Sequence, residues 1–525
     1  MDDHRPSHRS LSLPALGRRA ALALGVLGAL IFGALAVRAG ADNPAAGGSP
    51  LPAGIGAEVS LAPHAATLAI PRSFFGLSTE YWTLPVDERH PAEYRRILAM
   101  LHVPGDGRFV LRIGGNSSDH AMWNPAQRTM APWAFGVDAQ WIARAAAVVR
   151  ADHLRVILDL NVVTATPIQA AGWALEAELG FPRGSIAGLE IGNEPDLYRA
   201  RGWTDRLKGT GYRLGTLPTA MTASSYSASY QAYAQALTLA APGVPLLGPA
   251  LADPRRDHGW VATLLGQPHP GLSAVTLHEY PYNACTAHGR PGYPSVAKLL
   301  SPAATHDMAT AIVHDVRVAH AHGLPARITE FNSVTCGGVR GVSDTFATAL
   351  WAPNALFTMA RAGVASADLH ARVFSVNAPF RFTPHGISAR PLLYGLALFT
   401  RMLGPHSRLV SLRVHTTAGH RLTAWAVAQG AHTLHVLLTN PGARSVTTDL
   451  RLPGGGNATV QRLLAPSAWS PGQVTLAGQH LDASARWVGR RSLQTIRPRA
   501  GRYTLTVRGQ SAAMVTVALR TIPGL

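Results

Sequence analysis

The chain has 525 residues, more than one hydrophobic core usually accommodates, so we expect at least two domains. Apolar residues make up 47% of the chain and charged residues 14%, which excludes an intrinsically disordered protein. The formal net charge of +18 comes almost entirely from arginines spread along the chain without a basic run, and this distribution argues against a nucleic-acid-binding protein.

The N-terminal segment, residues 1–41, has the composition of an export signal or a membrane anchor. Several arginines lie within residues 1–19, and an uncharged apolar run from Ala20 to Val37 follows. This run is at the edge of bilayer-spanning length, so a cleaved signal peptide and a retained anchor both stay open. Residues 42–55 are rich in Ala, Gly and Pro and are predicted to be a linker. We expect an exported protein, extracellular, periplasmic or anchored facing outside, that contacts a membrane only through this segment.

Residues 73–403 alternate short apolar runs with amphipathic stretches, which predicts eight βα units and a (β/α)8 barrel. The alternative, a doubly wound open sheet, would need a Gly-rich nucleotide loop after its first strand, and that loop is missing. The predicted strands are Phe75–Tyr81, Phe109–Ile113, Arg155–Leu160, Ile186–Ile191, Val244–Leu251, Ala274–Leu277, Ala326–Thr329 and Ala365–Val373. The clearest predicted helices are Pro91–Leu101, Asp138–Ala151, Ser227–Ala241, Ala304–His322 and Asp344–Ala362.

Residues 404–525 change to short alternating runs separated by Gly-rich turns, a pattern typical of an antiparallel β-sandwich. Residues 56–72 also alternate apolar and polar side chains, and we expect their strands to join this sandwich. The fold class is therefore α/β, a (β/α)8 TIM barrel followed by a sandwich that takes strands from the N-terminal part. The aperiodic stretch 198–222 follows the fourth barrel strand and is expected to form a loop over the barrel mouth.

Two carboxylates end predicted barrel strands. Glu194 follows strand four and Glu330 closes strand seven. These strands lie across the barrel mouth from each other, where barrel enzymes keep their active sites, so both side chains can act on one substrate. Carboxyl groups about 5–5.5 Å apart suit retaining glycoside hydrolysis, and about 6.5–9.5 Å suits inversion. The sequence alone leaves that distance open.

Four segments together resemble glycoside hydrolase family 79, the family of β-glucuronidases and heparanases. The resemblance covers roughly residues 56–520. The segments are Leu111-Arg112-Ile113-Gly114-Gly115-Asn116-Ser117-Ser118-Asp119, Glu190-Ile191-Gly192-Asn193-Glu194-Pro195-Asp196, Thr329-Glu330-Phe331-Asn332-Ser333 and Gly337-Gly338-Val339-Arg340-Gly341-Val342-Ser343-Asp344-Thr345-Phe346.

The resemblance implies a retaining mechanism in which Glu194 is the general acid/base and Glu330 the nucleophile. It further implies that Asn193 hydrogen-bonds the sugar 2-hydroxyl, and that Arg112 and Tyr280 keep the nucleophile ionised and oriented. The remaining sugar contacts that it implies are Glu80 and Asn116.

Recognition of a sugar carboxylate is where the chain departs from the family. The family binds this group with backbone N–H groups of the loop after the nucleophile, here Cys336 and Gly337, and with tyrosines. Thr335 and Asn377 stand at the tyrosine positions. Arg372 and Asn377 lie in the last segment of the barrel, His370 to Asn377, and an arginine can bind a carboxylate bidentately. We therefore predict Arg372 and Asn377 to be substrate-binding residues.

The two cysteines follow adjacent predicted strands. Cys285 follows strand six and Cys336 follows strand seven, so their loops are neighbours at the barrel mouth and a disulfide is expected in an exported protein. The pair His278-Glu279 matches the first two residues of a zinc-protease motif. That motif requires a helix, which Pro281 would break. We predict no metal and no cofactor.

The sequence thus predicts a retaining glycoside hydrolase of β-glucuronidase type, with a glucuronide or a uronic-acid-containing glycan as substrate and the oligomeric state left open. An acidic substrate would agree with the positive net charge, for which compositional drift is the other explanation. Two alternatives stay open: a barrel β-glycosidase for a neutral sugar, and a non-catalytic carbohydrate-binding relative at the cell surface.

Overall fold

A computed structural model describes residues 51–62, 66–84, 89–198, 221–452 and 455–522. The predicted export segment 1–41, most of the linker and most of the predicted loop 198–222 lie outside these residues. The chain divides into two compact units, Met1–Asp42 and Asn43–Leu525, and all described residues belong to the second. Within the described ranges, no helix combines the length and apolar composition needed to cross a membrane.

Twelve strands occupy the described residues up to His370, and eight of them form a closed parallel barrel. The barrel order is β3-β4-β7-β8-β9-β10-β11-β12, and β12 pairs with β3 to close it. The strands are β1 (Ala57–Leu61), β2 (Thr67–Ala69), β3 (Phe75–Glu80), β4 (Val110–Gly114), β5 (Ala121–Trp123), β6 (Phe135–Val137), β7 (Arg155–Leu160), β8 (Ile186–Ile191), β9 (Leu246–Leu251), β10 (Leu272–Glu279), β11 (Ala326–Phe331) and β12 (Ser366–His370). The predicted (β/α)8 barrel is confirmed.

Helices surround the barrel because parallel strands need both faces covered. The described helices are α1 (Pro91–Leu101), α2 (Ala139–Ala151), α3 (Pro167–Gly180), α4 (Ala223–Ala240), α5 (Gly259–Leu265), α6 (Val296–Leu299), α7 (Ala303–Ala321), α8 (Phe346–Arg361) and α9 (Pro391–Arg401). Side-chain hydrogen bonds to backbone N–H groups determine where some of these helices begin. Asp138 accepts the N–H of Trp141 at the start of α2, and Thr166 forms a capping box with Gln169 at the start of α3.

The C-terminal region forms the predicted sandwich. Its strands are β15 (Arg408–Val410), β16 (Leu412–Thr416), β17 (Thr423–Gln429), β18 (Thr433–Asn440), β19 (Val446–Arg451), β20 (Ala458–Leu464), β21 (Thr475–Leu476), β22 (His480–Leu481), β23 (Trp487–Val488), β24 (Gln494–Ile496), β25 (Arg502–Val507) and β26 (Ser511–Ala518). The hairpin of β13 (Phe380–Thr383) and β14 (Gly386–Ala389) precedes α9. One sheet has the order β16-β1-β19-β25, and the other runs β2-β15-β17-β18-β26-β20-β21.

Both N-terminal strands join the sandwich, as the sequence predicted. Strand β1 lies between β16 and β19, and β2 pairs with β15 at the edge of the larger sheet. The pairing of β1 with β19 is parallel, so the sandwich is not purely antiparallel. Buried apolar side chains from both sheets, including Val59, Leu450 and Val515, form a core of their own between the sheets.

The sandwich packs against the barrel through α8. The Trp425 ring on β17 stacks on Phe357, with ring centroids 5.5 Å apart. The Trp425 indole N–H donates to the Asn354 side-chain oxygen at 2.8 Å. The guanidinium of Arg361 lies over the same ring. The two layers therefore share one buried contact surface.

Candidate active site

Backbone geometry turns Glu194 into the barrel mouth at the end of β8. Gly192 has φ +85°, and a Cβ there would lie 2.8 Å from a methyl of Val162. Glu194 itself adopts the left-handed region, with φ 52°, and its N–H donates to the Ala250 carbonyl at 3.0 Å. Its carboxylate lies 3.1 Å from Nδ1 of His278 and keeps 17% side-chain exposure. A strained, non-glycine residue held this way at a barrel mouth is typical of a functional site.

Glu330 lies on β11, opposite Glu194, and receives several charged or polar partners. Tyr280 donates its hydroxyl to Oε1 at 2.7 Å, and Arg112 Nη1 donates to Oε2 at 2.9 Å. Nδ1 of His370 lies 3.4 Å from Oε2. Burial alone would raise the pKa of Glu330, but the charges of His370, His278 and Arg112 and the Tyr280 hydrogen bond lower the pKa to about 2. The carboxylate is therefore ionised at neutral pH.

The two carboxylates are close enough to act on one bond. A carboxylate oxygen of Glu194 and one of Glu330 lie within 4.8 Å of each other and of a ring nitrogen of His278. This proximity agrees with the short separation of retaining glycosidases rather than the long one of inverting enzymes. Among the described residues, the same trio is the group that could hold a metal ion. His278 lies on the strand β10.

Arg112 is the centre of a buried charge network inside the barrel. Its guanidinium donates to Glu190 at 2.6 Å, to Asp159 at 2.9 Å and to Glu330 at 2.9 Å. Its side chain and those of Asp159 and Glu190 are fully buried. Burial raises the pKa of Asp159 well above its usual value although Arg112 opposes this. One guanidinium therefore orients three carboxyl groups and fixes the position of Glu330.

Asp159 and Glu190 are functional candidates that the sequence reasoning missed. Glu190 belongs to the Asn-Glu-Pro segment, one residue before the strand end at Ile191, and had no predicted role. Asp159 lies at the end of an apolar run. Each of them is a carboxylate inside an otherwise apolar predicted strand. Because a carboxylate is rarely buried without a cationic partner, this pattern could have indicated a buried ion pair.

Asn193 precedes Glu194 and is fixed on two sides. Its side-chain oxygen accepts from Arg112 at 3.0 Å, and its backbone N–H donates to the Tyr198 hydroxyl at 3.0 Å. Tyr198 in turn donates to Asp119. With its oxygen engaged, the amide nitrogen of Asn193 has no partner among the described residues. This leaves a donor available for the predicted contact with the sugar.

The predicted sugar contacts Glu80 and Asn116 lie at the end of β3 and just after β4, which are neighbouring strands. The Glu80 carboxylate accepts the Ser117 N–H at 2.7 Å, lies 3.7 Å from Nε2 of His370 and is 1% exposed. Asn116 is exposed on the turn Gly115–His120. His370, which the sequence reasoning also missed, thus lies between Glu80 and Glu330.

The loop after Glu330 has an unusual backbone. Cys336, Gly337 and Gly338 adopt positive φ angles of 55°, 78° and 84° in succession. The Gly337 carbonyl accepts the N–H groups of Val376 and Asn377. In the described part of the chain, the N–H groups of Cys336 and Gly337 have no acceptor. Consecutive free N–H groups on such a backbone form an anion-binding concavity.

Arg372 and Asn377 occupy different environments. The Arg372 side chain is 40% exposed, 3.9 Å from the Glu80 carboxylate and over the Trp82 ring, so it can reach an acidic group in the mouth. Asn377 is 2% exposed, and its amide donates to the Val334 carbonyl at 2.7 Å. The side chain thus packs against the loop that follows Glu330, and the predicted sugar contact of Asn377 stays a prediction.

The expected disulfide between Cys285 and Cys336 is present. It joins the loops after β10 and β11, which also meet in a short parallel bridge between Asn283 and Thr335. Both cysteines are exposed to solvent.

Comparisons with known proteins agree with this fold. Residues 422–514 match the family model described as the glycosyl hydrolase family 79 C-terminal beta domain. No curated protein sequence matches the chain. Among solved structures, a 4-O-α-L-rhamnosyl-β-D-glucuronidase from Fusarium oxysporum 12S, in complex with Rha-GlcA, has a TM-score of 0.70 at 19% identity, covering 87% of this chain and 100% of that one.

Two further neighbours are arabinofuranosidases of family 51. The enzyme from Xanthomonas axonopodis pv. citri has a TM-score of 0.65 at 14% identity, covering 88% of this chain and 100% of that one. AbfB from Bifidobacterium longum has a TM-score of 0.63 at 17% identity, covering 88% and 99%. The fold of the chain is thus one that glycoside hydrolases use, and its resemblance to glycoside hydrolase family 79 is confirmed.

Proposed function

We propose that the protein is a retaining β-glycosidase that cleaves glucuronides by double displacement. The observation that carries this proposal is the pair Glu194 and Glu330, whose carboxylate oxygens approach within 4.8 Å across the barrel mouth. Glu330, kept ionised by its cationic neighbours, attacks the anomeric carbon while Glu194 protonates the leaving oxygen. Glu194 then activates the water that hydrolyses the glycosyl-enzyme intermediate.

The uronide preference rests on the free N–H groups of Cys336 and Gly337 and on the guanidinium of Arg372. A carboxylate accepts hydrogen bonds from such donors more strongly than a neutral hydroxymethyl group does. The resemblance to family 79 and the fold shared with the Fusarium glucuronidase support the same preference. A neutral-sugar β-glycosidase remains the second candidate, since the arabinofuranosidase neighbours have the same fold without this substrate.

A panel of aryl glycosides tests the activity: β-glucuronide, β-glucoside and α-L-arabinofuranoside. We expect the glucuronide to have the highest kcat/KM. Glu330→Ala should lose turnover by several orders of magnitude, and Glu194→Ala should recover part of its rate with azide. A 2-fluoro-glucuronide should label Glu330 covalently. Glu178→Gln, an exposed carboxylate on α3, is the matched control and should keep wild-type kinetics.

Two results would reject the proposal. Equal activity of Glu330→Ala and the wild type would remove the mechanism, and a glucoside preference would remove the substrate. A protein that binds glycans but hydrolyses none of the panel would be the non-catalytic relative.

Arg372→Ala tests the contribution of the guanidinium to substrate selection. We expect the glucuronide-over-glucoside ratio of kcat/KM to fall by about tenfold, because one charge-assisted hydrogen bond is lost. An unchanged ratio would assign the selectivity to the loop alone.

We also propose that the protein works outside the cytoplasm. The exposed disulfide supports this, because disulfides persist in oxidising compartments. Fractionation of cells, followed by detection of the protein in the periplasmic, membrane or extracellular fraction, tests it. Recovery in the cytoplasm with both thiols reduced would contradict it.

A further inference from the structure

We infer that the Cys285–Cys336 disulfide is a specificity element, which holds the backbone N–H groups of Cys336 and Gly337 in place for a substrate carboxylate. This inference rests on the proposed uronide activity. It assigns to a covalent bond at the mouth of the barrel the task of fixing the loop that carries these donors.

The first observation is where the disulfide is attached. Cys336 itself contributes one of the two free N–H groups, and its backbone lies in the left-handed region with φ 55°. Left-handed backbone is unfavourable for a residue with a Cβ, so this conformation persists only where its surroundings enforce it. The disulfide acts directly on the residue whose conformation orients the donor.

The second observation is that the loop is otherwise supported mainly from its other side. Gly338 lies against Asn377 and Ser343, with no room for a Cβ, and the Gly337 carbonyl accepts from Val376 and Asn377. On the side of Cys336, the noncovalent support is the Asn283–Thr335 bridge, in which Thr335 N–H donates to the Tyr282 carbonyl at 2.9 Å. The disulfide completes the support of the first half of the loop.

The third observation is that Cys285 and Cys336 are both exposed, so a small thiol can reach the bond. A dithiol such as dithiothreitol would transfer two electrons and two protons: the protein S–S bond breaks, two cysteine thiols form, and the reagent becomes a cyclic disulfide. The catalytic pair would keep its contacts, because Glu330 is held by Arg112 and Tyr280 rather than by this loop.

The test compares the oxidised protein with the protein reduced by dithiothreitol, each assayed on aryl β-glucuronide and on aryl β-glucoside. A thiol count of two per chain verifies complete reduction. We expect KM for the glucuronide to rise about tenfold, kcat to change less than about twofold, and KM for the glucoside to stay constant. The double variant Cys285→Ser/Cys336→Ser should reproduce the high KM and no longer respond to dithiothreitol.

Three outcomes would overturn the inference. One is an unchanged glucuronide KM after full reduction. Another is a parallel loss of activity on both substrates with a lower Tm, which would make the disulfide a stabilising element only. The third is an oxidised wild type that hydrolyses the glucoside but no glucuronide. The third result is already visible in the assay of the oxidised protein, before any reduction. It therefore distinguishes a wrong substrate proposal from a wrong role for the disulfide.

Discussion

The hydrogen bond from Tyr280 to Glu330 can be removed without disturbing the fold. Its hydroxyl donates to Glu330, the proposed nucleophile, at 2.7 Å and so competes with nucleophilic attack while fixing its direction. For Tyr280→Phe we expect kcat on aryl glucuronide to fall by about 10–100-fold with little change in KM, since a hydrogen bond to a charged group contributes about 1.5–3 kcal/mol. Tyr282→Phe, two residues further along the chain, is the control. It loses a hydrogen bond to the Lys298 carbonyl on α6 and should keep wild-type kcat.

His370 makes the stability depend on pH in a direction that can be worked out. Burial lowers the pKa of His370, but Glu330 and Glu80 outweigh burial, with Arg112 opposing them, and the pKa is raised. The folded protein therefore binds this proton more tightly than the unfolded chain. The stabilisation is fully present below the ordinary histidine pKa of about 6.5 and is lost as pH rises through the raised value.

For His370→Asn we therefore expect a weaker fall in unfolding free energy above about pH 6.5 than in the wild type. Denaturant unfolding at a series of pH values above about 6.5 measures this unfolding free energy. His385→Asn, at an exposed position, is the control and should leave the pH dependence unchanged. A wild-type slope in His370→Asn would mean that the ring stays neutral between its two carboxylates.

At the scale of elements, the contact between α8 and α9 depends on one glycine. A Cβ on Gly395 would lie 2.3 Å from the Ala349 carbonyl, so the helices must separate to accept it. We expect Gly395→Ala to lower the unfolding free energy by about 1–3 kcal/mol, the usual cost of overpacking. Gly259→Ala on α5 has nothing within 4 Å and should be neutral or slightly stabilising. Equal Tm values for the two variants would contradict this packing.

The length of an element and its apolar pattern explain whether the sequence could predict it. The barrel strands were predictable because buried parallel strands are continuous apolar runs, and β7, β8 and the start of α1 match the predicted bounds. The hairpin β13–β14 and the short strands between residues 475 and 496 were missed. Two- to four-residue strands carry too few side chains to establish a period.

The candidate site was predictable where a residue sits in a local motif, as Glu194 and Glu330 do. Asp159, Glu190 and His370 were missed because their roles depend on neighbours 47, 78 and 40 positions away: Arg112 for the first two and Glu330 for the third. Only the closed barrel brings these side chains together. For Asn377, the sequence position alone does not reveal whether the side chain faces the cleft or the loop behind it.

At the scale of the whole molecule, the sandwich depends on a strand from the other end of the chain. Val59 on β1 is fully buried, paired with Val414 on one side and Leu450 on the other. Removing this strand from its central position would separate β16 from β19. Because α8 packs against Trp425 of the sandwich, disruption there reaches the barrel helix that follows the nucleophile loop.

Val59→Asp and Ser60→Asp therefore form a matched pair of adjacent substitutions with opposite expected effects. Val59→Asp buries an unpaired carboxylate between the sheets and should cost at least about 3–5 kcal/mol. Ser60 pairs with Arg413 and Arg451, so an aspartate there meets two cations and should be tolerated. If barrel and sandwich form one cooperative unit, Val59→Asp loses glycosidase activity and sandwich structure in a single thermal transition. Structure and activity are measured on the same samples by circular dichroism and by turnover. Retained activity with an unfolded sandwich would show that the barrel folds independently.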